Sequence, residues 1–164
     1  MSMNSTPNAN RSHIGFFGST NAGKSSLLNA LTDSEVFVED KLFATLDPTT
    51  RKLALEGSQG ILLSDTVGFI SNLPHNLIDA FKATLEEANR AQLLLLVLDS
   101  SDSEVLSHYQ VVTQVLSEIN ALNKDILIVL NKIDALPKKQ TDILPLQHTT
   151  EMLSKKFPKA LWVS

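Results

Sequence analysis

The chain has no cysteine, a single tryptophan and a single tyrosine among 164 residues. Without cysteine there is no disulfide framework and no thiolate-ligated metal, which excludes small disulfide scaffolds and zinc ribbons. The same absence fits a reducing, cytoplasmic setting. Excess positive charge is also lacking: 14 Lys and Arg stand against 18 Asp and Glu, a net charge of −4. A free-standing nucleic-acid binder would carry a basic footprint, so direct nucleic-acid binding by this domain is not expected. The very apolar run Leu93 to Leu98 is far shorter than the roughly 20 residues that cross a bilayer. It reads as a parallel strand buried on both faces, and no membrane partner is expected. The first ten residues are polar, unlike a signal peptide. What is present is 43% apolar and 20% charged, the balance of a compact chain able to bury a core.

The chemistry starts at Gly18-Ser19-Thr20-Asn21-Ala22-Gly23-Lys24-Ser25. This stretch fits the phosphate-binding P-loop, G-x-x-x-x-G-K-[ST], at every fixed position. Ile14 to Phe17 reads as the strand entering the loop, and Ser25 to Leu31 as the helix leaving it. An ordinary glycine turn would not need both flanks. Backbone N–H groups of Asn21, Ala22, Gly23, Lys24, Ser25 and Ser26 are expected around phosphate oxygens, with the helix N-terminus adding partial positive charge. Lys24 would reach the β- and γ-phosphates, and the Ser25 hydroxyl would ligate Mg²⁺.

Two further motifs select the nucleotide. Asn131-Lys132-Ile133-Asp134 follows the apolar run Ile126 to Leu130 and has the N-K-x-D pattern of GTPases. The Asp134 carboxylate would accept hydrogen bonds from N1–H and N2–H₂ of guanine. Adenine offers no such donor pair, and sites built on hydrogen bonds reject such analogues by roughly 10⁴-fold or more. Asn131 would hold the loop and approach the purine O6/N7 edge, while the Lys132 stem would lie against the base. Between these motifs, Asp65-Thr66-Val67-Gly68 ends the run Ile61 to Leu63 and fits D-x-x-G. Asp65 would bind Mg²⁺ through water, and the Gly68 N–H would bond the γ-phosphate. Loss of that bond on hydrolysis is how such a domain switches.

The remaining pattern alternates strands and helices, which indicates an α/β fold with a mainly parallel sheet covered on both faces. Met1 to Asn10 reads as a disordered lead or cloning remnant, with one domain from residue 12 to residue 164. Ser34 to Thr50 reads as mostly loop. Lys52 to Glu56 and the turn Gly57 to Gly60 suggest a hairpin into the Ile61 strand. Leu77, Ile78, Phe81, Leu85 and Ala88 share a helical face. Ser101 and Glu104 form a capping-box pattern, followed by Val105, Tyr109, Val112, Leu116 and Ile119 at helical spacing. Pro137 to Pro145 reads as loop, Glu151 to Phe157 as a short helix, and Leu161 to Val163 as a last strand. These apolar stripes are read as core.

The segment Val38 to Arg51, with Phe43-Ala44-Thr45-Leu46-Asp47-Pro48-Thr49-Thr50, resembles switch I of HflX GTPases. Asp65 to His75, with Gly68-Phe69-Ile70-Ser71-Asn72-Leu73-Pro74, resembles their switch II. The likeness runs over nearly all of Ile14 to Ser164. The opening, Ala9-Asn10-Arg11 and His13 to Gly18, looks more like maturation GTPases of the HydF type, whose Gly-Thr-Thr-Thr switch I is absent here. The resemblance implies a Ras-like three-layer P-loop GTPase fold, with Mg²⁺ as cofactor and GTP or GDP as ligand. It implies Thr45 as the switch I threonine that ligates Mg²⁺ and senses the γ-phosphate; Thr49 and Thr50 are competitors, and each also suits a strand edge or turn. It implies association with the large ribosomal subunit in the full-length family member. Ser164 would open the loop whose N–H groups meet guanine O6. The rest of that loop and a last helix would lie beyond the chain, as would the large domain that precedes the GTPase domain in HflX proteins.

Two residues depart from the simplest GTPase. Phe69 stands where many GTPases carry the glutamine that orients the attacking water. A phenylalanine cannot hydrogen-bond that water, so slow intrinsic turnover is expected; His75 is an alternative, or simply an exposed switch residue. Asn21 matches the P-loop asparagine of potassium-activated GTPases, where K⁺ stands in for an arginine finger; it also suits a loop asparagine that bonds its own backbone. Asp134→Asn is expected to shift preference from guanine towards xanthine, because the amide donates where the carboxylate accepted. A competition titration with GDP and XDP checks this, and retained GDP preference would remove Asp134 from base recognition.

Overall fold

The structure, a computed structural model, describes residues 12–19, 21–32, 49–53, 60–66, 86, 88–136 and 144–164. Six strands form one sheet: β1 (His13–Gly18), β2 (Thr49–Leu53), β3 (Ile61–Asp65), β4 (Leu93–Asp99), β5 (Asp125–Asn131) and β6 (Leu161–Trp162). Their order is β2-β3-β1-β4-β5-β6. β2 runs antiparallel to β3, and the other neighbours are parallel. The described helices are α1 (Lys24–Thr32), α2 (Val105–Glu118) and α3 (Leu144–Lys156).

Alternate side chains of the central strands enter two cores. Phe16, Leu63, Val97 and Val129 pack on one face with Leu28 of α1. Phe17, Leu94, Leu96, Leu98 and Leu130 pack on the other with Val105, Val112, Val115 and Leu116 of α2 and with Leu153 and Phe157. Burial on both faces is why these strands read as unbroken apolar runs. Tyr109 meets Phe157 edge to face, with ring centroids 4.9 Å apart.

The other strands agree with the sequence reading to within a residue or two, and the hairpin into β3 is present, but β2 starts at Thr49 rather than Lys52, so Thr49 and Thr50 pair with β3 instead of belonging to the expected loop. Two further local expectations fail. The capping box is not formed: the Ser101 hydroxyl donates to Asp99 Oδ1 instead, and Glu104 makes no side-chain cap bond. A carboxylate is the stronger acceptor. Asp102 Oδ1 instead accepts the Glu104 N–H at 2.8 Å. The last helix starts at Leu144 rather than Glu151. Pro145 thus lies in its first turn, where a missing N–H is harmless because that donor has no intrahelical partner anyway. The helical face proposed for Leu77, Ile78, Phe81 and Leu85 lies outside the described residues, whereas Ala88 is buried.

The chain passes from β1 to β3 on one side and to β4 on the other. The carboxyl end of β1 is therefore a topological switch point, where open α/β sheets form their ligand crevice. The loops after β1, β3, β4 and β5 all leave from this edge. The end of α2 is closed by a Schellman pair, Ala121 N–H to Leu116 O at 2.8 Å and Asn120 N–H to Ser117 O at 3.0 Å, with Asn120 at φ 57°. Asn120→Gly is expected to be neutral or stabilising and Asn120→Ala to cost about 1 kcal/mol. Urea denaturation checks both, and equal midpoints for the two variants would contradict the left-handed cap.

Candidate functional site

The P-loop leaves β1 at Gly18, and α1 begins at Lys24. Two glycines allow this path by close approach. A Cβ on Gly18 would lie 2.2 Å from the Val97 carbonyl oxygen, and one on Gly23, at φ 93°, would lie 2.2 Å from Asn131 Nδ2. Ala22 N–H donates to Ser19 O at 3.2 Å, and Leu27 N–H to Gly23 O opens the helix at 2.9 Å. Asn21 sits at φ 63° and is exposed at the loop's front, as is Ser26 in the first turn of α1.

Lys24 is buried. Its Nζ donates to Ser19 O at 2.9 Å and more weakly to Gly18 O at 3.4 Å. Burial drives its pKa from 10.5 down to about 8, although the nearby Asp65 carboxylate opposes the shift. An ammonium stripped of water beside a phosphate loop is poised for an anion. Next to it, the Ser25 hydroxyl donates to Asp65 Oδ2 at 2.5 Å. Both are hard oxygen donors, and one carboxylate plus one hydroxyl is what Mg²⁺ takes when nucleotide phosphates and waters complete its shell. The residues present therefore fit that ion, although no cluster of three or more His, Asp or Glu exists among the described residues.

Across the crevice, Asn131 Nδ2 donates to Ala22 O at 3.0 Å, tying the N-K-x-D loop to the P-loop. Lys132 takes the left-handed conformation, and its Nζ pairs with Asp99 Oδ2 at 2.9 Å. Asp134 lies in the 3₁₀ turn Ile133–Ala135 and is exposed. Ile133 N–H donates to Val163 O at 3.2 Å, which brings the segment ending at Ser164 against this loop.

The sequence model describing 50S ribosome-binding GTPases matches residues 13–132. The chain belongs to this GTPase family. It is 54% identical over 127 residues to GTPase HflX of Akkermansia muciniphila, covering 77% of this chain and 29% of that protein. It is 49% identical over 123 residues to GTPase HflX of Escherichia coli K12, covering 75% and 29%. The chain thus spans under a third of the length of these relatives. Among solved structures it resembles a GTP-binding protein of Sulfolobus solfataricus in complex with GDP, with a TM-score of 0.63 and 35% identity over 93% of this chain and 45% of the other. These likenesses bear out the sequence resemblance to HflX GTPases and the P-loop GTPase fold.

In this GTPase domain the structure brings together Asn21, Ala22, Gly23, Lys24, Ser25, Ser26, Asp65, Asn131, Lys132 and Asp134 at one sheet edge, with Ser164 at its flank. Thr45, Gly68, Phe69 and His75 lie outside the described residues. Thr50 belongs to β2, where its hydroxyl meets Ser64 Oγ at 2.9 Å; this is the strand role that competed with a switch role. Sequence reading passed over several supporting residues. Thr66 is buried, and its hydroxyl donates to Phe16 O at 2.6 Å, locking the start of D-x-x-G to β1. Asp99 and Ser100 hold the N-K-x-D loop from β4. The available signal was position: Asp99 follows six apolar residues and ends a parallel strand at the ligand edge.

Lys24 gives a pH prediction for the nucleotide-free protein. It deprotonates at about 8 in the fold and at 10.5 in the unfolded chain. Between those values the unfolded chain holds the extra proton, so stability rises with pH; below 8 the full cost of the buried charge is present, on the order of 3 kcal/mol at most. Lys24→Met, uncharged at any pH, is expected to be more stable than the wild type at pH 7, with the gap narrowing towards pH 10. Denaturant midpoints that stay parallel across that range would show that the Lys24 charge costs nothing.

Proposed function

We propose that this chain is the GTP-binding and GTP-hydrolysing switch domain of an HflX-like protein that works on the large ribosomal subunit. The observation that carries the reading is the Asn131 bond to Ala22 O. It joins a guanine-type loop to a phosphate-type loop at one edge of the sheet. The ribosomal partner is supported by the family description and the relatives' name, and it belongs to the longer protein.

In this reading the guanine edge is read by Asp134 and Asn131, with the Lys132 stem against the ring and the segment from Ser164 near O6. Lys24 exchanges its P-loop carbonyl partners for phosphate oxygens. Binding GTP therefore moves an already desolvated ammonium onto the anion, so little water must be stripped at that step. Ser25 and Asp65 would hold Mg²⁺, which supplies charge neutralisation at the β- and γ-phosphates. Backbone N–H groups from Asn21 to Ser26 fix the phosphate chain, so that water attack is a matter of positioning. Thr45 and Gly68 would sense the γ-phosphate. Phe69 supplies no hydrogen bond to the water, so unaided turnover is slow. K⁺ beside Asn21 would add the missing charge; support for that ion is the sequence match and the exposed position of Asn21.

The second reading, a guanine-nucleotide module with negligible turnover, rests on Phe69. Single-turnover GTP hydrolysis in Mg²⁺, with K⁺ against Na⁺, separates the two. Slow hydrolysis accelerated by K⁺ is expected. Tight GDP binding with no phosphate release in either salt would favour the module, and selective ADP binding in a parallel titration would overturn the function.

A further inference from the structure

We propose that the turn Asp99-Ser100-Ser101 is the platform that keeps the base-reading loop in its binding shape, and that Asp99 is a positioning residue for guanine recognition acting through Lys132. The inference rests on the guanine-nucleotide reading of the site and adds to it three residues that lie in none of its motifs.

Consecutive residues of this turn act on consecutive residues of the loop. In the β4–β5 register Asp99 stands opposite Asn131. Ser100 is fully buried, and both its N–H, at 2.9 Å, and its Oγ, at 2.7 Å, donate to the Asn131 carbonyl. Asp99 Oδ2 holds Lys132 Nζ at 2.9 Å, while Asp99 Oδ1 accepts from the Ser101 N–H at 2.9 Å and from the Ser101 hydroxyl at 2.5 Å. The carboxylate is thus gripped on one oxygen and offers the other to the lysine.

The ion pair is not an ordinary surface contact. The Asp99 side chain is only 16% exposed, against 36% for Lys132. Burial alone would raise the Asp99 carboxyl, but the hydrogen bonds from Lys132 and Ser101 more than offset it and hold it below the usual carboxylate value. The Asp99 carboxylate therefore stays charged through the physiological range. Lys132 also adopts a left-handed backbone, at φ 62° and ψ 38°, which a non-glycine residue adopts only when its surroundings hold it there. Beyond it, Ala135 N–H returns to Lys132 O at 3.0 Å.

The consequence concerns the Lys132 stem. Its Cα is fixed by the left-handed turn and its Nζ by Asp99, so its four-carbon chain is held at both ends before nucleotide arrives. A free lysine chain would have to be ordered on binding, a penalty of about tenfold in affinity. Asp99 removes that penalty and presents the stem as a ready surface for the purine face.

The test is GDP affinity by calorimetry in Mg²⁺ for the wild type, Asp99→Asn, Lys132→Ala and the double variant, beside urea denaturation of each without nucleotide. Asp99→Asn keeps the shape and loses the charge. It is expected to weaken GDP binding about tenfold in the wild-type background and less than twofold when Lys132 is already alanine. A purely structural ion pair would lower the denaturation midpoint and leave GDP affinity unchanged, and that result overturns the proposal. So does an equal loss in both backgrounds, because the effect would then bypass Lys132. If Asp99→Asn does not fold, Ser101→Ala, which keeps the carboxylate and frees one grip on it, is expected to lose two- to threefold, and unchanged affinity would overturn the proposal. A wild-type domain that binds no GDP would remove the functional reading as well, an outcome distinct from tight wild-type binding left intact by Asp99→Asn.

Discussion

One hydrogen bond, from Asn131 Nδ2 to the carbonyl of Ala22, sets the geometry on which the site depends. A P-loop grips phosphates and a strand-end loop reads a base, but neither fixes its distance from the other. The amide of Asn131 does so, and it can do so only because residue 23 has no side chain: a Cβ there would sit 2.2 Å from the same nitrogen. The glycine demanded by the phosphate pattern and the asparagine demanded by the base pattern are thus one contact seen from two sides. That is a physical reason for the two motifs to occur together in a chain, independent of any family.

The second constraint is electrostatic. Lys24 is buried and is held by carbonyl oxygens of its own loop. Burial strips water from the ammonium, which is why it titrates near 8 rather than near its free value, although the nearby Asp65 carboxylate opposes the shift. Next to it in sequence, the Ser25 hydroxyl donates to Asp65 Oδ2. The cation thus rests on carbonyls, and one carboxylate oxygen on a hydroxyl. Ligand binding exchanges internal bonds for ligand bonds. Such an exchange makes affinity depend on the difference between two sets of polar contacts rather than on their sum.

How much of this could be read from residues alone varies with the range of the interaction. The strands were legible because burial on both faces writes an uninterrupted apolar run, as in Leu93 to Leu98, and the P-loop because its glycines and lysine are fixed by local geometry. The capping box at Ser101 was misread because a one-dimensional pattern cannot show that Asp99, two residues back, is a better acceptor for the hydroxyl. The start of α3 was misread because Pro145 looks like a breaker everywhere except in a first turn. Asp99, Ser100 and Thr66 were invisible as supports. Each acts on a residue 31 to 50 positions away, as in Ser100 on Asn131 and Thr66 on Phe16, and no periodicity encodes such a pairing. Functional residues that touch ligand carry motifs, and those that hold them in place do not.

The same logic links the phosphate edge to the far side of the sheet. Thr66 anchors the start of D-x-x-G to the carbonyl of Phe16, so the strand end carrying Asp65 cannot drift from the P-loop strand. One residue earlier, Ser64 Oγ meets His13 Nε2 at 2.6 Å on one side and Thr50 Oγ1 at 2.9 Å on the other. These bonds run across β1, β3 and β2, where Ser64 stands opposite Gly15 on one side and Thr50 on the other. β2 is the edge strand and the only antiparallel one in the described sheet. Without side-chain ties it would be held by a single ladder to β3. The serine bridge adds a polar tie that reaches past β3 to β1, so side chains as well as the backbone ladder link β2 to the strand that bears the P-loop. The strand end carrying Asp65 is therefore backed by polar ties to both neighbouring strands.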